Sequence, residues 1–297
     1  MKILFFGWDH TITPASRTVD YMGDCVYHGL KSVLGKDVYT VHDQFHMYTD
    51  LRKGTSKWFH GKGFTLCANL SPDIRSNHSV EEMMSNIKSK FYDRVIFSRP
   101  YRSTLYYDEV IKYYKDDEVV IIDGHDSSAI QEEFRKHMYF KRELIEEPNE
   151  TLHPISFSIP GEKLVPSGLT ARKEKEVAHV IPGQPDTYIF KSEKEYYNDY
   201  EKSLYGITHK KGGWDCMRHL EIMANKCVPF FIDIDDCPPT TMVDYPKEVI
   251  AEAFHHIQDK TMTDELYGTY CQTLYEHVAN NQTTVEQAKR IIGILKK

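Results

Sequence analysis

The densest group of chemistry-bearing residues is Lys210-Lys211-Gly212-Gly213-Trp214-Asp215, with Arg218 and Glu221 just behind it. Two glycines in succession let a backbone approach a ligand without a Cβ in the way. Asp215 is a favoured helix N-cap, so the spacing predicts a helix over residues 216–225. The unpaired N–H groups of that helix's first turn, with Lys210 and Lys211 beside them, suit an anionic group such as a diphosphate. Arg218, Glu221 and Asn225 follow at i, i+3 and i+7, on one polar stripe. A plain loop before a helix, with Arg218 and Glu221 as a surface ion pair, would account for the same residues. No GxGxxG or GxxxxGK[ST] run is present, which disfavours a standard dinucleotide or P-loop site.

Three further groups carry acids or histidines at strand ends. Asp123-Gly124-His125-Asp126 follows an unbroken Val-Val-Ile-Ile run, where α/β folds place catalytic groups. Asp126, His125 or Asp123 could therefore act as a general base toward an acceptor hydroxyl. Asp9-His10 follows the apolar run 2–7 and would fall on the same sheet edge. Each pair is also what an ordinary polar turn contains. Asp233-Ile234-Asp235-Asp236 is similar to the DxD device that holds a divalent metal against a nucleotide diphosphate. An acidic turn that caps the following segment explains it equally well and is the preferred reading.

The elements that must position these groups come from periodicity. Apolar strand patterns occur at 2–6, 37–41, 92–98 and 118–123, and helical spacing at 17–34, 80–90, 103–114 and 128–137. Ser79 with Glu82 forms a capping box at the start of the second of these helices. Residues 42–80 are rich in His, Gly, Lys and aromatics with weak periodicity, and read as a long irregular excursion. The runs 139–144 and 153–160 read as lying between two halves, in a proline-bearing connection. A second alternation follows, with strands at 177–181, 204–208 and 228–232. Helices are expected at 191–202, 216–225, 246–257, 264–280 and 285–295. Strand–helix alternation in both halves predicts an α/β chain with mostly parallel sheets: two similar-sized α/β halves, residues 1–150 and 151–297, with a crevice between them.

The chain has 297 residues, 40% hydrophobic and 27% charged, and these are the proportions of an ordinary soluble protein. A net charge of −7 argues against a general nucleic-acid binder, which would show a basic face. The six cysteines have no CxxC spacing, so neither a zinc site nor a disulfide framework is indicated. No apolar run approaches the ~20 residues of a membrane span, and residues 1–9 lack the layout of a signal peptide. A cytoplasmic location follows as the expectation.

The run Lys211-Gly212-Gly213-Trp214-Asp215-Cys216-Met217-Arg218-His219-Leu220-Glu221, with Cys227-Val228-Pro229, Cys237-Pro238 and Tyr245-Pro246-Lys247, resembles the donor-side domain of exostosin-like GT-B glycosyltransferases. It looks closest to the short forms encoded by large DNA viruses. Phe6-Gly7-Trp8-Asp9-His10, the Asp123–Asp126 loop and Tyr139-Phe140-Lys141-Arg142-Glu143 look similar too. The resemblance implies two Rossmann-like domains, with a UDP- or GDP-linked sugar held in the C-terminal one. It implies no required cofactor or metal, because a helix N-terminus and basic side chains offset the diphosphate's charge. Carried over by position, Arg218 would contact the diphosphate and Glu221 the ribose or sugar. The shortness of the chain departs from the usual plan on the acceptor side. The implied activity is transfer of a sugar to a hydroxyl of a glycan or glycoprotein, in the host cytoplasm if the chain is viral. Lys210, Lys211, Gly212, Gly213, Trp214, Asp215, Arg218 and Glu221 would hold the donor. The base of an inverting reaction would be Asp126 or His125, with Asp123 or Asp9 behind them. A retaining reaction would need no such base. Two alternatives remain: a metal-dependent transferase using Asp233, Asp235 and Asp236, and a non-catalytic carbohydrate-binding relative.

Overall fold

Ile3-Leu4-Phe5-Phe6 forms β1 (Ile3–Phe6), apolar on both faces, as a strand covered on both sides must be. The computed structural model describes residues 1–7, 20–168 and 172–296. After β1 come α1 (Tyr21–Leu34), β2 (Val38–Tyr39), α2 (Val80–Lys88) and β3 (Arg94–Phe97). The short α3 (Tyr107–Val110), β4 (Val119–Asp123), β5 (Met138–Lys141) and β6 (Leu152–Pro154) complete the first sheet region. Strand order is β2-β1-β3-β4-β5-β6, and every neighbouring pair is parallel.

The remainder contains β7 (Lys175–Val177), α4 (Glu193–Glu201), β8 (Ser203–Thr208), α5 (Met217–Ala224) and β9 (Val228–Phe231). Three helices follow: α6 (Lys247–Gln258), α7 (Asp264–Asn281) and α8 (Thr284–Leu295). β7, β8 and β9 form a second parallel sheet in that order. The chain is thus α/β with parallel sheets, as its alternation predicts. The last helix returns to the first sheet, where α8 packs on α1. Gly29 marks that crossing, because a Cβ there would overlap the Thr284 carbonyl. His28 Nδ1 lies 2.8 Å from the Thr284 hydroxyl at the same place. One buried apolar cluster runs from Ile3, Val26 and Leu30 through Leu220 and Phe231 to Ile291 and Leu295. A second covers the other face of the first sheet, with Leu4, Val95 and Ile121. Among the described residues no helix is long and apolar enough to cross a membrane.

Several expectations are corrected. Residues 139–144 do not connect halves: β5 and β6 extend the first sheet, and the one basic residue in β5 is compatible with burial because it is paired. Lys141, with no exposed surface, lies 3.1 Å from the Asp123 carboxylate. Within 103–114 only α3 is helical, since Tyr106 enters it at φ +67°. Within 128–137 there is only a 3-10 turn, Glu132–Phe134. The strand expected at 177–181 lies earlier, at β7. The capping box of α2 forms as expected: Ser79 accepts from the Glu82 N–H, and Glu82 accepts from the Ser79 N–H. The excursion 42–79 is irregular but anchored, for example by buried Lys31, which donates to the Ile74 carbonyl at 2.7 Å.

Candidate functional site

Parallel strands bring their carboxyl ends to one edge, and here the edges of both sheets line one cavity of about 450 Å³. The first sheet region contributes Tyr21, Asp126, Arg142 and Phe157, with Gly61, Lys62 and Phe64 from the irregular excursion. The second contributes Val180, Tyr188, Phe190, Tyr196 and His209, then Lys211, Gly212, Gly213, Asp215, Cys216, Met217, Arg218 and Glu221. The motif that dominates the sequence therefore forms one wall. Lys210 and Trp214 do not line it: the Lys210 ammonium lies 5.1 Å from the Trp214 ring centroid, and Trp214 is buried.

The loop from β8 to α5 is fixed from several sides. The Lys210 N–H donates to both Asp233 carboxylate oxygens at 3.1 Å. The Trp214 and Asp215 N–H groups donate to the two oxygens of Glu143, each at 3.0 Å. His219, fully buried in the first turn of α5, donates from Nε2 to the Trp214 carbonyl at 2.9 Å and accepts the Thr208 hydroxyl at Nδ1 at 3.0 Å. That pairing suits the neutral ring, with one nitrogen donating and the other accepting. Burial pushes the His219 pKa down to about 3; Arg218 and Arg142 add to the shift, and the Trp214 bond opposes it.

Asp215 does not cap α5. Cys216 occupies the N-cap position and gives no side-chain bond. The Asp215 carboxylate turns inward instead, accepting the Phe157 N–H at 2.6 Å and the Tyr245 hydroxyl at 2.7 Å. Its pKa is pushed up to about 7 by burial, against the pull of Arg142. The glycines also have a reason within the protein itself. A Cβ on Gly212 would overlap the Asp126 carboxylate, and one on Gly213 would lie 2.5 Å from Glu143 Oε1. They leave space first for two acids of the other sheet.

Arg218 is not in a surface ion pair with Glu221. Its Nη2 donates to the Tyr188 hydroxyl at 3.1 Å, and no carboxylate lies within ion-pair distance of it among the described residues. Its Nε is buried without an acceptor. Glu221, 6% exposed, accepts the Tyr196 hydroxyl at 2.7 Å and the Thr65 hydroxyl. Burial pushes its carboxyl above the usual range, against those two bonds and the Arg218 charge. Asn225 is buried and bonds the Glu221 carbonyl at 2.7 Å. Thr65 is brought there by a segment with positive φ at Gly61, Lys62, Gly63, Thr65 and Ala68. The Phe64 ring stacks 5.8 Å from that of Tyr196.

Of the acids and histidines proposed for catalysis, Asp126 lines the cavity, mostly exposed and ion-paired with buried Arg142. Arg142 also donates to the Asp215 carbonyl. Asp123 is buried away from the cavity, accepting the Tyr139 hydroxyl at 2.6 Å and the His125 N–H at 2.9 Å. His125 is exposed, off the cavity lining, with its ring 5.0 Å from Tyr101 and its Nδ1 accepting the Ser127 N–H. Asp9 and His10 lie outside the described residues. Asp233 braces Lys210, while Asp235 lies 2.8 Å from His255 Nε2. Among the described residues no group of three or more His, Cys, Asp or Glu side chains is arranged to hold a metal ion.

Sequence reasoning missed Arg142, Glu143, Thr65 and His219. A signal existed for the first two: once residues 138–141 are read as a strand, Arg142-Glu143 falls at its carboxyl end. Thr65 carried none.

No protein-family model matches the chain. No curated protein matches it. Among solved structures, an alpha-glucosyltransferase in complex with UDP-glucose and DNA containing an abasic site aligns over 100% of both chains, at 12% identity and a TM-score of 0.49, a level that transfers no residue roles.

Proposed function

We propose that this chain is a glycosyltransferase that moves a sugar from a UDP- or GDP-linked donor to a hydroxyl of a glycan or glycoprotein acceptor. The observation that carries the reading is Arg218: a guanidinium in the cavity wall, in the first turn of α5, with no carboxylate within ion-pair distance among the described residues. A cation left in that state favours an anionic ligand, and the diphosphate of a nucleotide sugar supplies two negative groups. Lys211 and the backbone of Gly212 and Gly213 line the same wall. Charge is then offset by the helix start and basic side chains, so the reading calls for no divalent metal. Glu221, on the next turn of α5, orients the ribose or sugar hydroxyls. The donor belongs to the region of the second sheet, within residues 151–297, and the acceptor to that of the first sheet, in the manner of short exostosin-like GT-B enzymes acting in the cytoplasm.

If the reaction inverts, Asp126 is the base. It takes the acceptor hydroxyl proton as the oxygen attacks the anomeric carbon, and the carbon–oxygen bond to the diphosphate breaks with its electron pair leaving on the diphosphate. Arg142 holds the carboxylate toward the cavity.

Calorimetry of UDP and GDP with the wild type and Arg218→Ala tests the reading. Loss of a charge-assisted contact of ~1.5–3 kcal/mol weakens nucleotide binding roughly 10- to 150-fold. Equal affinity in a folded variant removes Arg218 from the diphosphate and with it the main support for the assignment.

A further inference from the structure

We infer that Glu143 is a positioning residue for the phosphate-facing loop, so that the first sheet sets the donor geometry of the second. This rests on the nucleotide-sugar reading above. Glu143 follows β5, is 4% exposed, and uses one oxygen for each of two successive amides, Trp214 and Asp215, at 3.0 Å. A two-point grip of this kind fixes adjacent peptide planes. The carbonyls of the same two residues are held as well, Trp214 by His219 and Asp215 by Arg142. Arg142 Nη1 lies 3.7 Å from Glu143 Oε1 and sets an opposite charge beside this buried acid.

Trp214 and Asp215 therefore have no amide left for a ligand. The amides of Gly212, Gly213 and Cys216 are without a partner among the described residues, and all three residues line the cavity. Which amides meet the diphosphate is thus decided by where Glu143 takes the intervening two. Gly213 belongs to the same device, since any Cβ there would displace Glu143 Oε1 from 2.5 Å away.

Glu143→Gln keeps size and shape but sets an NH2 donor against one of the two N–H donors. UDP or GDP affinity, whichever the wild type shows by calorimetry, falls ~10-fold, the effect of about 1.4 kcal/mol in a lost charge-assisted bond. Gly213→Ala, which pushes the carboxylate aside without altering charge, produces a similar loss. The double variant loses no more than either single one, as expected when both act on one contact. A thermal melt reports folding separately, and if Glu143→Gln does not fold, Glu143→Asp replaces it in the cycle. A lowered melting temperature with unchanged nucleotide affinity overturns the inference, as do fully additive losses. A wild type that binds neither nucleotide overturns the nucleotide-sugar reading itself, a failure distinct from unchanged affinity in the variants.

Discussion

His219 gives the sharpest test of how the loop is built. It has no exposed surface, and its ring packs 4.6 Å from Phe231. Its folded-state pKa of about 3 lies below the unfolded value of 6.5, so between those limits the unfolded chain binds a proton that the folded chain refuses. Stability contributed by this group is therefore present above about pH 6.5 and is lost as pH falls. At about pH 5 the loss is 1.36 kcal/mol for each of ~1.5 units, or roughly 2 kcal/mol, and the full interval sets a ceiling near 5 kcal/mol. His219→Gln retains a donor toward the Trp214 carbonyl but cannot titrate. It gives up the Thr208 bond and ring packing, which costs about 1–2 kcal/mol at neutral pH. Urea unfolding should thus find the variant less stable by that amount near pH 7.5, with the gap closing near pH 5 and reversing below it. Taking the difference removes the other groups, including Asp20 and Asp215. Their pKa values are raised by burial to about 6 and about 7, so they work in the opposite sense, with the folded state keeping a proton that the unfolded chain loses. A gap that stays constant from pH 7.5 to pH 5 refutes the claim that His219 is held neutral.

Thr65 is a β-branched residue at φ +73° whose hydroxyl bonds Glu221 and lies 2.7 Å from the Tyr197 hydroxyl. Thr65→Val keeps the strained backbone and orphans a buried carboxylate oxygen, so urea unfolding should show a loss of about 1–3 kcal/mol; wild-type stability would mean the hydroxyl is incidental. Asp126→Asn should slow sugar transfer ~10²–10⁴-fold while leaving nucleotide affinity within twofold of wild type, and normal turnover would remove Asp126 as base.

Local signals in the chain were reliable guides to structure wherever the structure is itself local. The apolar β1 and β4, the Ser79–Glu82 box and the periodic α7 and α8 form because neighbouring residues suffice to specify them. β5 fails that test. Its Lys141 is acceptable in a buried strand only because Asp123, on the adjacent strand, lies 3.1 Å away, and a partner 18 positions earlier leaves no periodic trace. The same holds for α3, where Tyr106 takes a left-handed turn although its neighbours have helical spacing. At the site, the run from Lys211 to Glu221 was legible because glycines, a base and acids are rare in such density. Its wiring was not. Asp215 has the chemistry of an N-cap, yet it is turned inward by Phe157 and Tyr245, donors 58 residues before it and 30 after it.

The double glycine shows how much that wiring changes the reasoning. Two glycines before a helix argue for close approach of something to the backbone, and that inference survives. What approaches first is protein: Asp126 beside Gly212 and Glu143 beside Gly213. A pair of acids pressed against a loop proposed to hold a diphosphate would repel it unless their charge were already engaged. Both are engaged, Asp126 by Arg142 and Glu143 by two amides with Arg142 nearby. Arg218, by contrast, lines the cavity with its Nη2 donating to the Tyr188 hydroxyl and with no carboxylate within ion-pair distance among the described residues. The proposed preference for a negative ligand therefore rests on Arg218 and Lys211, which line the cavity without an ion-paired carboxylate among the described residues, rather than on the glycines.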